Sequence, residues 1–233
     1  MDKFADIRGK RVLDVGCSRA EITQVLSSKY DCEVVGIDLA EEDNWQQIQE
    51  ADPSITLYAA DIAKPHPALR ENSFDRVVSV SVWEHVFHPW SALEACQKYL
   101  KPTGKKYLYS MLYRSAAASH MINRLDERWP HLIFSPREIM ERVNVSRLGD
   151  SFWTNRLTYQ QYLFYFRQLG FYVTHESFNR DMWHQKTYEM YEDVLQLYPE
   201  WDLNTDFFRV VLEFDPEHPK QPIPDPVYRL RDW

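Results

Sequence analysis

The chain has 233 residues, a length that fits one ordinary domain or one domain with a sizeable insertion. Hydrophobic residues make up 44% and charged residues 27%, close to the average for soluble globular proteins, which excludes global disorder. The net charge of −8 argues against a general nucleic-acid-binding surface, because polyanion binding depends on an excess of Lys and Arg.

The hydropathy pattern and the cysteine content indicate the cellular compartment in which the protein is expected. No apolar run approaches the ~18 residues needed to span a bilayer, so no membrane span is expected. The first residues contain no apolar leader, and the three cysteines lack zinc-ligand spacing and cannot pair evenly: Cys17, Cys32 and Cys96. A reducing, cytoplasmic location is the simplest interpretation.

Strand-like apolar runs alternate with helix-like segments through the first half of the chain, a pattern typical of a parallel α/β sheet. Five strands are predicted in this half, at residues 11–15, 33–38, 55–59, 74–82 and 105–111, and two more at 171–177 and 207–214. Helices are predicted at residues 20–28, 44–50, 90–100 and 159–169. The expected fold class is α/β, a Rossmann-like, seven-stranded, mostly parallel sheet with helices on both faces.

The alternation stops at residues 112–156, where short helices are predicted around 116–127 and after Pro136. We expect this stretch to form an aromatic and basic helical cap inserted after the fifth strand. A second irregular insertion is expected at 179–206. Residues 215–233 hold five prolines and are predicted to be an extended tail that follows a single domain at 1–214.

Acidic side chains occupy the C-terminal ends of the first three strands, where open α/β sheets bind ligands. Asp14 precedes Gly16 in a tight turn, and the glycine lets a ligand approach the backbone. Asp38 at the end of the second strand can accept both hydroxyls of a ribose. Asp61 after the third strand can accept an amino hydrogen of a purine, or simply cap the next turn. Three acidic residues in these places suit a nucleoside without phosphates.

Here the sequence resembles the class I S-adenosylmethionine-dependent methyltransferases, particularly the small-molecule branch known as type 11 or 12. The matching segments are VLDVGCSRAE (12–21), VVGIDLAEE (34–42), YAADIAK (58–64), FDRVVSVSVWEHVFHPWSALEACQKYLKPTGKKYLYS (74–110) and LTYQQYLFYFRQLGFYV (157–173). The resemblance implies S-adenosylmethionine as the cofactor and S-adenosylhomocysteine as its product. It implies ten cofactor-binding residues: Asp14, Gly16, Cys17, Ser18, Asp38, Leu39, Asp61, Ile62, Ser81 and Val82.

By the same resemblance the turn after the first strand and the end of the fourth strand lie beside the methionine moiety, Asp38 contacts the ribose, and Asp61 contacts the adenine. Two departures from the family pattern stand out. The family's loop usually has glycines where this chain has Ser18 and Ala20, so the backbone freedom is reduced. The first strand begins at about residue 11, so the helix that usually precedes it is expected to be missing or nearly so.

The segment Glu84-His85-Val86-Phe87-His88 follows the fourth strand. His85 and His88, and then His131 of the cap, are candidates for the general base that a hydroxyl acceptor needs. His85 equally fits a hydrogen-bonded turn histidine beside the cofactor. No metal site is predicted, because no third ligand is evident next to the two histidines.

Residues 111–170 carry 8 basic and 5 acidic side chains and are the only basic part of an acidic protein. A packed cap with solvated charges and a lid that closes over an anionic acceptor both fit this composition. The candidate substrate-binding residues are Tyr113, Arg114, Arg124, Arg128 and Trp129.

The predicted function is S-adenosylmethionine-dependent methyl transfer, by in-line O-methylation of a small acceptor of anionic or sugar (glycan) type. Two alternatives stay open: a catalytically silent methyltransferase-like binding protein, and a methyltransferase that acts on a protein or carrier-bound substrate. A dinucleotide dehydrogenase would need a G-x-G-x-x-G motif that is absent, and a hydrolase nucleophile elbow would follow a later strand. No nucleic-acid partner is expected, and a homodimer is left open.

Overall fold

The computed structural model describes residues 5–149, 152 and 154–214, and the predicted tail at 215–233 lies outside them. Seven strands form one sheet in this part of the chain: β1 (Arg11–Val15), β2 (Glu33–Asp38), β3 (Ile55–Ala59), β4 (Phe74–Val80), β5 (Leu100–Met111), β6 (Phe171–Asn179) and β7 (Phe207–Phe214). Their order across the sheet is β3-β2-β1-β4-β5-β7-β6, with β7 antiparallel to both of its neighbours. The predicted seven-stranded, mostly parallel sheet is confirmed.

Helices lie on both faces of this sheet. In the described ranges they are α1 (Glu21–Tyr30), α2 (Trp45–Ala51), α3 (Pro89–Tyr99), α4 (Pro130–Ile133), α5 (Pro136–Val143), α6 (Tyr159–Gln168), α7 (Gln185–Met190), α8 (Glu192–Leu195) and α9 (Glu200–Leu203). Helices α1 and α2 cover one face, and α3 and α6 cover the other. A turn of 3-10 helix, Trp83–His85, follows β4. None of the helices described has the length and apolar character that crossing a bilayer requires.

The centre of the sheet is buried on both sides. Val77 and Val78 of β4 are fully buried and belong to different core clusters, Val77 with α3 and α6 and Val78 with α1. Neighbouring strand residues point to opposite faces, so a strand covered twice is apolar at successive positions. This explains why β4 has apolar residues at the successive positions Val77 and Val78.

Strand β5 begins at Leu100, before the predicted residue 105. Leu100 pairs with Phe74 of β4, and the register shifts before the pairing of Arg76 with Lys105. The irregularity places Pro102 within the strand, where it supplies no ladder hydrogen bond. The pairing of β5 with β4 therefore extends across Pro102, although a proline in a sequence usually marks the end of a helix or strand.

Capping boxes start α5, within the cap, and α6, which follows the cap. Ser135 accepts from the backbone N–H of Glu138 at the start of α5, and Pro136 occupies the first turn as predicted. Thr158 and Gln161 form the equivalent box at the start of α6. Both helices begin where their side chains satisfy otherwise unpaired backbone N–H groups.

The predicted helix at residues 116–127 is wrong. This segment is a series of turns, in which the backbone N–H of His120 donates to the carbonyl of Ala117 at 2.8 Å. The hydroxyls of Ser115 and Ser119 accept hydrogen bonds from N–H groups two residues further on, at 3.1 and 3.3 Å. Serine side chains that bond to nearby backbone in this way compete with helix formation, so the apolar spacing alone misled the prediction.

The two irregular stretches of the chain pack together as one cap. Trp129 is completely buried against Leu195 and Leu203, and its Nε1 donates to the carbonyl of Leu203 at 3.2 Å. Asp206 accepts from the Ser115 hydroxyl at 3.2 Å and thereby ties the start of the cap to the end of the second stretch. The cap is thus fixed to the sheet at the point where β5 ends and β7 begins.

Candidate active site

The turn after β1 brings the backbone close to the end of β4. Gly16 has a φ of +78°, and a β-carbon built there would lie 2.3 Å from Cγ2 of Val82. A glycine is therefore required at position 16 both by conformation and by space. The missing side chain lets Val82 pack directly against the backbone of the turn. The approach of a ligand to this backbone stays a prediction.

Ser18 and Ala20 adopt left-handed φ values of 43° and 60°. A residue with a β-carbon is destabilised in this region by roughly 1–2 kcal/mol. The loop therefore has the shape that glycines would give it, although neither residue is a glycine. The expected reduction in backbone freedom is present as local strain.

Three hydrogen bonds from neighbouring segments hold this strained loop in place. Trp45 Nε1 donates to the carbonyl of Ser18 at 2.7 Å, and Asn44 Nδ2 donates to the carbonyl of Arg19 at 2.9 Å. The backbone N–H of Ser18 donates to Asp38 Oδ2 at 2.8 Å. Surroundings that over-determine a strained backbone in this way are typical of functional sites.

Asp38 ends β2 at the edge where β1 and β4 also end. Its Oδ1 accepts from the N–H of Leu39 at 2.7 Å, so that both carboxylate oxygens are oriented by backbone donors. The side chain stays partly exposed, and an ionised carboxylate has about four acceptor positions, so it can still accept further hydrogen bonds. Leu39 is 77% exposed beside it, an apolar side chain at a polar strand end.

Asp14 lies below the loop and does not face solvent. It is 2% exposed, and the Thr23 hydroxyl of α1 donates to its Oδ2 at 2.7 Å. Burial, together with the charge of Asp38, raises the pKa of Asp14 to about 6. Burial and the nearby Asp14 charge also raise the pKa of the Cys17 thiol, which keeps that thiol neutral. Asp14 and Cys17 are therefore buried residues that pack under the loop.

Asp61 caps the turn after β3, the simpler of the two roles considered for it. Its Oδ1 accepts from the N–H of Ala63 at 2.9 Å, and its Oδ2 lies 3.2 Å from Nζ of Lys64. The carboxylate is partly exposed, whereas the neighbouring Ile62 is buried in the core. Contact of this pair with an adenine stays a prediction.

Ser81 and Val82 follow β4 directly. Ser81 has a left-handed φ of 56°, is exposed, and donates its N–H to the carbonyl of Tyr109 at 2.7 Å. Val82 is half-buried against Gly16. The two residues therefore form the wall opposite the loop of β1, where the resemblance places the methionine moiety.

A cluster of three polar side chains lies next to this wall. The rings of His85 and His120 have centroids 4.9 Å apart, and one ligand atom from each of Glu84, His85 and His120 lies within 4.8 Å of the others. Glu84 is almost fully buried and accepts from the Ser110 hydroxyl at 2.6 Å through its Oε2. His85 was a sequence candidate. Glu84 and His120 were not, because no local pattern in the cap indicates that position 120 returns to β4.

The other two candidate bases lie elsewhere. His88 is exposed at the N-cap of α3, with its ring against Phe87. His131 Nε2 is hydrogen-bonded to the carbonyl of Tyr113 at 2.6 Å, and burial lowers the pKa of His131 to about 4. A histidine with so low a pKa is a weak proton acceptor, so the geometry favours a packing role for His131.

The predicted substrate-binding residues serve mainly to hold the cap together. Arg114 forms an ion pair with the buried Asp202, and Trp129 is buried as described above. The N–H of Arg128 donates to the Thr187 hydroxyl at 3.3 Å. Arg124 is exposed on the cap surface. Contact of any of them with a substrate stays a prediction.

This strand order, with a tight glycine turn after β1 and carboxylates near the ends of β1, β2 and β3, is that of the class I, S-adenosylmethionine-dependent methyltransferase fold. Residues 13–108, less than half of the chain, match the family model described as "Methyltransferase domain". The fold and the match together indicate an S-adenosylmethionine-dependent methyltransferase.

A curated relative and two solved structures that are similar to this chain also carry the name methyltransferase. A ubiquinone biosynthesis O-methyltransferase of Neisseria meningitidis serogroup C is 30% identical over 129 residues, which cover 52% of this chain and 52% of the relative. The chain thus spans about half the length of that curated relative. Among solved structures, an S-adenosylmethionine-dependent methyltransferase from Mesorhizobium loti superposes with a TM-score of 0.60 at 21% identity, over 88% of this chain and 91% of the other. Phosphoethanolamine N-methyltransferase 2 of Haemonchus contortus, solved with S-adenosyl-L-methionine, gives 0.59 at 16% identity, over 89% and 49%. These likenesses support the fold.

Proposed function

We propose that this chain transfers the methyl group of S-adenosylmethionine to a hydroxyl oxygen of a small molecule. The observation that carries the proposal is the joint placement of Gly16, Val82 and Asp38, which brings a tight glycine turn, the end of β4 and an oriented carboxylate together at one sheet edge. The match of residues 13–108 to the methyltransferase family supports the same reaction.

The residues at this edge fit S-adenosylmethionine. Asp38 offers acceptor positions to the two ribose hydroxyls, and the turn at Gly16 lies at the same sheet edge, where the amino-acid end is proposed to bind. Negative charge at these strand ends favours the positively charged cofactor and disfavours one that carries phosphates. When bound, the cofactor supplies an electrophilic methyl group on a sulfonium.

In this proposal the acceptor lies between this edge and the cap. The N–H of His85 donates to the carbonyl of Val82 at 2.8 Å, and His120 lies beside His85, so these two are the polar groups best placed to meet an acceptor hydroxyl, whose proton becomes acidic during attack. The name of the Neisseria relative, an O-methyltransferase, supports oxygen as the acceptor atom. The chain's own contribution to the rate is the alignment of the two reactants and the exclusion of water by the cap.

The acceptor's charge is less constrained than the composition of the cap indicates. Arg114 is paired with Asp202, Arg142 with Glu127, and Arg137 with Glu141 on α5. Only Asp202 lies outside residues 111–170, so these pairs neutralise one of the three excess positive charges of the segment (8 basic minus 5 acidic). We propose a small hydroxylated acceptor as the class, with anionic and sugar-type members as subclasses to be tested.

The test is formation of S-adenosylhomocysteine by the full chain in the presence of S-adenosylmethionine and matched acceptors. One set carries phenolic and sugar hydroxyls, a second set carries amines on the same skeletons, and a third set consists of peptides. Mass spectrometry identifies the methylated atom, and Asp38→Asn serves as the low-activity control. Turnover of the hydroxyl set supports the proposal. Turnover restricted to amines or peptides would replace it, and cofactor binding without any turnover would favour the silent binding protein.

A further inference from the structure

We propose that Glu84, His85 and His120 bind a divalent transition-metal ion at the end of β4. The three residues offer one carboxylate oxygen and two imidazole nitrogens, all within 4.8 Å of one another. Atoms bound to the same metal at about 2.0–2.2 Å lie within this spacing of each other. The sequence alone gives no third ligand for His85. The fold supplies it from the cap.

The buried carboxylate of Glu84 is the independent observation behind the proposal. Glu84 is 2% exposed, and its Oε2 accepts from the Ser110 hydroxyl. Its Oε1 is also buried, yet it has no hydrogen-bond partner in the described part of the chain. An ionised oxygen without a partner is costly inside a protein, and a cation bound at Oε1 would remove that cost.

The backbone of the cap positions the third ligand. His120 has a left-handed φ of 54°, and this conformation brings its ring to 4.9 Å from that of His85 with an interplanar angle of 36°. Two imidazoles this close can each supply one nitrogen ligand to the same ion, in the neutral form that binds metals.

The donor set indicates which ions are suitable. Two nitrogens and one carboxylate oxygen suit Zn²⁺, Co²⁺, Mn²⁺ or Fe²⁺, whereas Mg²⁺ and Ca²⁺ prefer oxygen ligands. His120 is exposed and His85 half-exposed, so coordination positions remain open on the solvent side. An acceptor hydroxyl bound at an open position would lose its proton more readily. This last step rests on the proposed function, whereas metal binding does not.

Metal binding is tested on the full chain after dialysis against a chelator, by calorimetric titration with Zn²⁺ and by the visible absorption of added Co²⁺. The variants are Glu84→Gln, His85→Ala and His120→Asn, since asparagine tolerates the left-handed backbone at position 120. His88→Ala is the matched control, because His88 is three residues from His85 but outside the cluster. Circular dichroism and thermal unfolding check the fold of each variant.

The expected result is binding at a single site by the parent chain and by His88→Ala, and a loss of affinity of roughly tenfold or more in each cluster variant. Absence of Zn²⁺ and Co²⁺ binding by the folded parent chain would overturn the proposal. Equal weakening by His88→Ala and His120→Asn would also overturn it. Methyl transfer by chelated protein that binds no metal would refute the metal site and leave the proposed function intact. Metal binding without cofactor binding would support the metal site and refute the proposed function.

Discussion

A β-carbon at position 16 would lie 2.3 Å from Cγ2 of Val82, so β1 and β4 can end side by side only because residue 16 is glycine. The two residues are in direct contact beside the place where the methionine end of the cofactor is proposed to bind. The contact joins the turn of β1 to the segment that carries His85. It therefore ties cofactor binding to the position of the polar cluster.

Gly16→Ala is expected to lower the free energy of unfolding and to abolish cofactor binding. Gly9 provides a matched control, because it has a φ of +66° and an added β-carbon there would meet nothing within 4 Å. Gly9→Ala is therefore destabilised by conformation alone, by roughly 1–2 kcal/mol. Gly16→Ala carries the additional cost of displacing Val82. Urea unfolding and calorimetric titration with S-adenosylmethionine check both variants, and equal effects of the two would refute the close contact.

Ser18→Gly is expected to stabilise the protein. The exposed Ser18 has a φ of 43°, and glycine relieves roughly 1–2 kcal/mol of strain at such a position while losing ~0.5–1 kcal/mol to the entropy of the unfolded chain. The expected net gain is below about 1 kcal/mol. Ser18→Ala keeps the β-carbon and is expected to give no gain. Equilibrium urea unfolding measures both changes, and a loss of stability in Ser18→Gly would show that the loop is not strained at this residue.

The seven strands, their mostly parallel sheet and the ends of β1, β2 and β3 could be predicted from the sequence, because buried strands and tight turns are local patterns. The position of His120 could not. The hydroxyls of Ser115 and Ser119 accept hydrogen bonds from nearby backbone N–H groups, and these turns take the place of the helix that the apolar spacing indicates. The cluster with Glu84 and His85 depends on that turn.

The cap also shows why the predicted substrate residues were difficult to assign. Arg114 and Asp202 are far apart in the sequence but form an ion pair in the fold. An arginine in a basic segment has the same appearance in the sequence whether it binds a substrate or a buried carboxylate. Only the packing of the second irregular stretch against the first separates the two roles.

Arg114→Met is expected to destabilise the cap by roughly 1–3 kcal/mol, because it leaves the buried Asp202 without its cation. Arg137→Met is the control: Arg137 pairs with Glu141 on the exposed face of α5, and such a pair contributes about 0.3–0.5 kcal/mol. Urea unfolding of the two variants measures the difference. An unchanged free energy of unfolding in Arg114→Met would return Arg114 to the substrate-binding candidates.

Lys106→Met is expected to be more stable than the parent chain near neutral pH. Lys106 is fully buried, its Nζ lies 3.3 Å from the Leu93 carbonyl and 4.6 Å from the centroid of the Phe171 ring, and burial lowers the pKa of Lys106 to about 8. The unfolded chain holds this proton up to the ordinary pKa of 10.5, so the folded state binds fewer protons between pH 8 and 10.5.

The parent chain should therefore gain stability as the pH rises through that window, by an amount on the order of 3 kcal/mol at most. In Lys106→Met this rise is absent. Urea unfolding at several pH values checks the prediction, since all other titrating groups are shared by the two proteins. Parallel stability curves for parent and variant would contradict it.

The most direct test of the central claim is calorimetric titration of the full chain with S-adenosylmethionine and S-adenosylhomocysteine, repeated on Asp38→Asn and on Glu41→Gln. Glu41 is an exposed carboxylate on the loop that follows Asp38. The account predicts micromolar binding by the parent chain, unchanged in Glu41→Gln and weakened roughly 10- to 100-fold in Asp38→Asn, since charged hydrogen bonds to the ribose contribute about 1.5–3 kcal/mol. Absence of binding by the parent chain at millimolar ligand, or equal binding by Asp38→Asn, would contradict it.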